Sequence, residues 1–178
     1  PFDEAAGGPG STTNNLSNPS VDGMLSANGG VWLGSGGVAS NAICFDEGRV
    51  DVAHYHPAMY LSGDLTIDAW VKPQAQASGA WQHTIVDKRT MVGAAWHGYR
   101  LYLSNAGVAN LELGDGVSTF TKSASFGVPP LGTWRLVGAR VRRDFPSAGA
   151  TSVDFYDPVT NGWVAAGGSP FFGLTAIT

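Results

Sequence analysis

Short stretches in which apolar and polar residues alternate one for one, each cut off by Gly, Pro, Asp or Asn, recur from Ala42 onward. A period of two belongs to strands whose two faces meet different surroundings. The clearest is Leu65-Thr66-Ile67-Asp68-Ala69-Trp70-Val71, where Leu65, Ile67, Ala69 and Val71 share a dry face and Thr66, Asp68 and Trp70 a mixed one. In Arg135–Arg143, Val137, Ala139 and Val141 lie opposite Arg140 and Arg142. Further strands are expected at Ala42–Phe45, Arg49–Ala53, Thr84–Lys88, Tyr99–Ser104, Ala109–Leu113, Ser118–Lys122 and Ser152–Tyr156. Asn105-Ala106-Gly107, Gly114-Asp115-Gly116 and Thr160-Asn161-Gly162 supply residues tolerant of positive φ, so they read as hairpin turns and imply antiparallel pairing.

Helices have little to build on. No stretch shows an i, i+3, i+4, i+7 stripe, and the nearest candidate, Tyr55–Leu61, contains Pro57. The 25 glycines among 178 residues, about twice the average usage, favour many turns and short elements. The expected fold is therefore all-β, an antiparallel two-sheet sandwich, in one domain over residues 1–178. Residues 1–41, rich in Gly, Ser, Thr and Asn, read as an irregular N-terminal wrap with Trp32 as its packing plug, and residues 42–178 as the sandwich strands.

Composition narrows the function. With 43% hydrophobic and 13% charged residues the chain has apolar surface enough to fold. A net charge of −4 with scattered Lys and Arg offers no positive field for nucleic acid. No apolar run reaches the roughly 18–20 residues of a membrane span, and Pro1-Phe2-Asp3-Glu4 carries no targeting pattern. Cys44 stands alone between Ile43 and Phe45 and reads as a small buried hydrophobe.

Catalytic patterns are missing from the sequence. Glycoside hydrolysis needs two neighbouring carboxylates, yet the three glutamates, Glu4, Glu47 and Glu112, have no acidic residue two positions away in a strand. Asp46-Glu47 would point to opposite faces and reads as a solvated turn. No Gly-x-Ser-x-Gly or phosphate-binding glycine loop occurs. His54-x-His56 could put two imidazoles on one strand face, but a third zinc ligand is lacking nearby and a polar loop is the simpler reading.

The run from Asp46 to Val52, followed by Leu61-Ser62-Gly63-Asp64-Leu65-Thr66-Ile67-Asp68-Ala69-Trp70-Val71-Lys72-Pro73, resembles the laminin-G-like, concanavalin A-like jelly-roll family. Ile85-Val86-Asp87-Lys88, Gly98–Leu103, Gly132-Thr133-Trp134-Arg135-Leu136-Val137 and Val153–Asp157 with Asn161-Gly162 resemble later strands of that family in the same order, over about two-thirds of the chain. Phe2-Asp3-Glu4 and Asn15–Gly23 resemble its opening strand and first loop, although Asn15 and Asn18 replace that loop's Asp and Gly. By the same resemblance most of the opening strand and the closing strand are missing, so the expectation is a fragment of a longer protein.

What the resemblance implies is a jelly roll in which Trp70 and Trp134 pack inside. It also implies an optional calcium ion held by the loop carrying Asn15, Ser17 and Asp22, with no essential cofactor. Trp81, His83, Trp96, His97 and Trp163, in surroundings that read as loops, are the candidates for stacking on and gripping a glycan at the loop rim. The leading expectation is a non-catalytic carbohydrate-binding module, lectin-like, of a bacterial extracellular or cell-surface protein, its partner a glycan or cell-surface polysaccharide. The second is a structural or protein-binding adhesion domain. A glycoside hydrolase would require carboxylates from outside this segment.

Overall fold

The computed structural model describes residues 12–13, 23–25, 30–33, 37–38, 42–45, 49–52, 63–74, 82–127, 130–144, 147–168 and 171–172. Among the described residues there is no helix, and the chain divides into two compact units, Pro1–Met59 and Tyr60–Thr178.

The first unit contains β1 (Thr12–Thr13), β2 (Gly23–Leu25), β3 (Gly30–Leu33), β4 (Ala42–Phe45) and β5 (Val50–Val52). A three-stranded antiparallel sheet runs β1-β2-β5, and β3 pairs with β4. Where the sequence suggests only an irregular wrap, β1, β2 and β3 are strands of two to four residues, too short to display alternation. Trp32 lies in β3 opposite Ile43; its packing falls outside the described side chains. Cys44 corrects the reading of a buried thiol: it is exposed. Burial falls along β4 from Ala42 through Ile43 to Cys44 and Phe45, and a ribbon with no third strand paired to it among the described residues leaves its end open to water.

The second unit contains β6 (Leu65–Val71), β7 (His83–Val92), β8 (Ala95–Leu103), β9 (Ala109–Asp115), β10 (Thr119–Ser123), β11 (Arg135–Arg143), β12 (Ala150–Asp157), β13 (Gly162–Ala165) and β14 (Phe171–Phe172). Sheet I is the meander β10-β9-β8-β7, and sheet II runs β13-β12-β11-β6 with β14 also paired to β12. All pairs are antiparallel. The chain thus leaves sheet II after β6, completes sheet I, and returns as β11 beside β6, with Ala139 opposite Ile67.

Alternation decides which face is dry. Leu65, Val137, Ala139, Val141, Val153 and Phe155 of sheet II pack against Tyr99, Leu101, Leu103, Leu111 and Leu113 of sheet I, giving one core between two layers and a β-sandwich. Fully buried side chains such as Phe155, Leu101 and Leu113 each contribute about 1.5–3 kcal/mol.

Two glycines let the strands of sheet I close up. A Cβ on Gly98, at φ 120°, would stand 1.9 Å from the carbonyl oxygen of Lys88, and one on Gly114 would stand 2.1 Å from that of Trp96. The turn after β9 is built from Gly116, Val117 and Ser118, with Gly114 and Asp115 still in the strand, two residues later than the sequence suggests.

Candidate functional site

The outward faces of the two sheets carry the polar and aromatic side chains, and most of the aromatics there are already engaged. On sheet I, Trp96, Arg100 and Tyr102 of β8 share the outer face with Arg89 and Asp87 of β7 and Glu112 of β9, as the register Asp87–Arg100–Glu112 requires. The Arg89 guanidinium carbon lies 4.5 Å from the centre of the Trp96 ring, and that of Arg100 lies 4.4 Å from the Tyr102 ring. Arg89 donates to Asp87 at 2.8 and 2.9 Å and also to Glu112. These bonds, Asp87's above all, raise the Arg89 pKa and reinforce its charge. Arg100 donates to the Thr84 hydroxyl at 2.7 and 3.1 Å and lies 3.7 Å from Asp87. This face is a closed lattice in which each charge has a counter-charge.

Sheet II has a second cluster. Arg140 and Arg142 both donate to Asp154, whose side chain is only 3% exposed. The Arg140 guanidinium carbon is 4.9 Å from the centre of the Trp163 ring, which meets Tyr156 edge to face at 5.7 Å. The Tyr156 hydroxyl donates to the Asn161 side-chain carbonyl. Gly138 makes the floor of this face: Asp68 Cβ and the edge of the Trp163 ring each lie 3.3 Å from where a Gly138 Cβ would stand.

Trp70 differs from all of these. It is 52% exposed, and among the described residues no ring or cation rests on it. The expectation that Trp70 packs inside is therefore corrected, and its own strand explains why: Leu65 is buried and Ile67, Ala69 and Val71 half-buried, whereas Thr66, Asp68 and Trp70 all face water. Trp134, just ahead of β11, is half-buried. Asp68, two residues along β6 from Trp70 and on the same face, is exposed and takes no hydrogen bond or ion pair among the described residues. Trp70, Asp68 and Thr66 thus form an open strip at one side of sheet II, bordered through Gly138 by the Arg140–Trp163 pair.

The residues proposed from sequence scatter. His83, exposed at the start of β7, pairs with Leu103, whereas Trp96 pairs with Met91 and His97 with Thr90 at the other end of the same ladder. That ladder spans roughly 20 Å at about 3.3 Å per residue, so one rim cannot hold both groups. Neighbouring Trp96 and His97 point to opposite faces, His97 lying opposite Asp115 in β9. Trp96 and Trp163 are strand residues, in β8 and β13, and not loop residues. Trp81, the zinc candidates His54 and His56, and the calcium candidates Asn15, Ser17 and Asp22 lie outside the described residues, as do Asp46 and Glu47. Among the described residues no group of three or more His, Cys, Asp or Glu could hold a metal ion.

No protein-family model, curated protein or solved structure matches the chain.

Proposed function

We propose that the chain is a non-catalytic carbohydrate-recognition module of an extracellular or cell-surface protein, of the laminin-G-like jelly-roll kind. It binds sugar on the outer face of β6 and not at a loop rim. The single observation behind this reading is Trp70: a half-exposed indole on a strand, without a stacking partner among the described residues, beside the exposed Asp68 and Thr66. A flat apolar ring covers the C–H face of a pyranose, while a carboxylate and a hydroxyl grip its hydroxyl groups. The family reading is supported by the strand order and by the return of β11 to β6 after a four-strand excursion through the other sheet. The non-catalytic reading is supported by Asp87 and Glu112, acidic residues on the outer face of sheet I, which are both engaged in holding the Arg89 guanidinium.

The test is affinity electrophoresis through gels containing a panel of soluble polysaccharides. Retardation of the natural chain that is lost in Trp70→Ala and kept in Trp96→Ala supports the reading. Migration unaffected by every polysaccharide refutes it.

A second reading, a protein-binding adhesion surface, draws on the apolar tips of two neighbouring hairpins. Met91, Val92 and Val117 are all exposed there, and the Val92 side chain lies 3.7 Å from where a Gly116 Cβ would stand.

A further inference from the structure

The open strip on β6 joins two features that favour the same ligand chemistry. The face of an indole carries a negative quadrupole and attracts a cation within about 6 Å, tryptophan being the best of the aromatic residues for this. Among the described residues that attraction holds arginines on Trp96, Tyr102 and Trp163. Among the described residues no arginine or lysine occupies the ring face of Trp70.

Two positions along a strand, about 7 Å, separate Trp70 from Asp68 on the same side of the sheet. Among the described residues Asp68 has no ion pair: Arg140, opposite Thr66 on the same face, is held by Asp154 and stacked on Trp163. A free carboxylate next to a free indole face, in a chain of net charge −4, is matched by a ligand that brings a positive charge of its own.

Building on the glycan reading, we propose that the Trp70–Asp68 pair selects an amino sugar whose nitrogen is protonated, the ring stacking on Trp70 and the ammonium pairing with Asp68. Neutral sugars satisfy the indole but leave the carboxylate without a cation. Acidic sugars would set like charge against Asp68.

The experiment is calorimetric titration of the full chain with glucosamine oligosaccharides of equal length, fully deacetylated or fully N-acetylated, at mildly acidic pH and at low and high salt. The deacetylated form should bind about tenfold more tightly, with an advantage that shrinks as salt rises. Asp68→Asn, which preserves shape, should erase the preference without weakening the N-acetylated form. Trp70→Phe should weaken both. Equal affinity for the two forms, or a preference that survives Asp68→Asn, overturns the inference while the glycan reading stands. Binding of neither form, nor of any neutral polysaccharide, removes the glycan reading and the inference together. Choline, an ammonium without a sugar ring, should compete poorly; competition as strong as glucosamine's would overturn the assignment to a sugar.

Discussion

Arg140 donates from both Nε and Nη2 to a single carboxylate oxygen of Asp154, at 3.0 and 2.8 Å, across the β11–β12 pairing. Arg142 takes the other oxygen at 3.0 Å. One buried carboxylate therefore holds two like charges on neighbouring outward positions of one strand. Breaking a fully buried pair costs about 3–5 kcal/mol. Here the arginine side chains are 34% and 29% exposed, and solvent softens the loss to about 2–3 kcal/mol. Asp154→Ala should lower stability by that amount in urea denaturation, whereas the Trp70→Phe chain should denature like the natural one.

Gly98 and Gly149 both have positive φ, 120° and 77°, but only at Gly98 would a Cβ strike backbone. The Lys88 carbonyl it would meet is fixed in the β7–β8 ladder and cannot move aside. Gly98→Ala is expected to cost about 3 kcal/mol or more, the sum of strain and overpacking, and Gly149→Ala about 1 kcal/mol from strain alone. Equal costs for the two substitutions in denaturation experiments would contradict this ordering.

Asp115 closes the β9–β10 turn by accepting the backbone N–H of Ser118 at 2.7 Å and of Val117 at 2.9 Å. Those bonds, Ser118's first, depress its pKa below the ordinary aspartate value. A carboxyl whose folded pKa is lowered stabilises the fold above its unfolded value, about 3.9, and loses that contribution as pH falls through the depressed one. Asp115→Asn should therefore be less stable than the natural chain at neutral pH, with the gap closing as the solution is acidified below about pH 4. A gap independent of pH in parallel denaturation series would contradict it.

The sandwich was legible where a strand has one wet face and one dry face. Leu65–Val71 and Arg135–Arg143 both stand at their sequence-derived bounds because alternate positions, Leu65, Ile67, Ala69 and Val71 in one and Val137, Ala139 and Val141 in the other, mark the dry face. β7 extends past Lys88 to Val92, and β8 begins at Ala95, because a hairpin with small residues at its tip, Gly93 and Ala94, resembles a loop in composition. That same ambiguity made Trp96 look like a loop residue. β13 holds only four residues and takes its order from pairing with β12, which no local pattern announces. The candidate site was legible in part: the alternation of β6 already put Trp70 beside Asp68 and Thr66 on the mixed face, and only the family resemblance argued for burial. Partnership was not legible at all. Which aromatics are covered by arginine depends on registers between strands far apart in sequence, such as Arg140 on β11 and Trp163 on β13.

An exposed, unstacked Trp70 that takes sugar is the claim on which the functional reading turns, and the indole N–H signals of the six tryptophans report it directly. In a two-dimensional NMR titration of the natural chain with a glucosamine oligosaccharide, assigned by single substitutions, the Trp70 signal should shift progressively while that of Trp96, covered by Arg89, stays in place. A Trp70 signal that does not move at saturating sugar would contradict the claim.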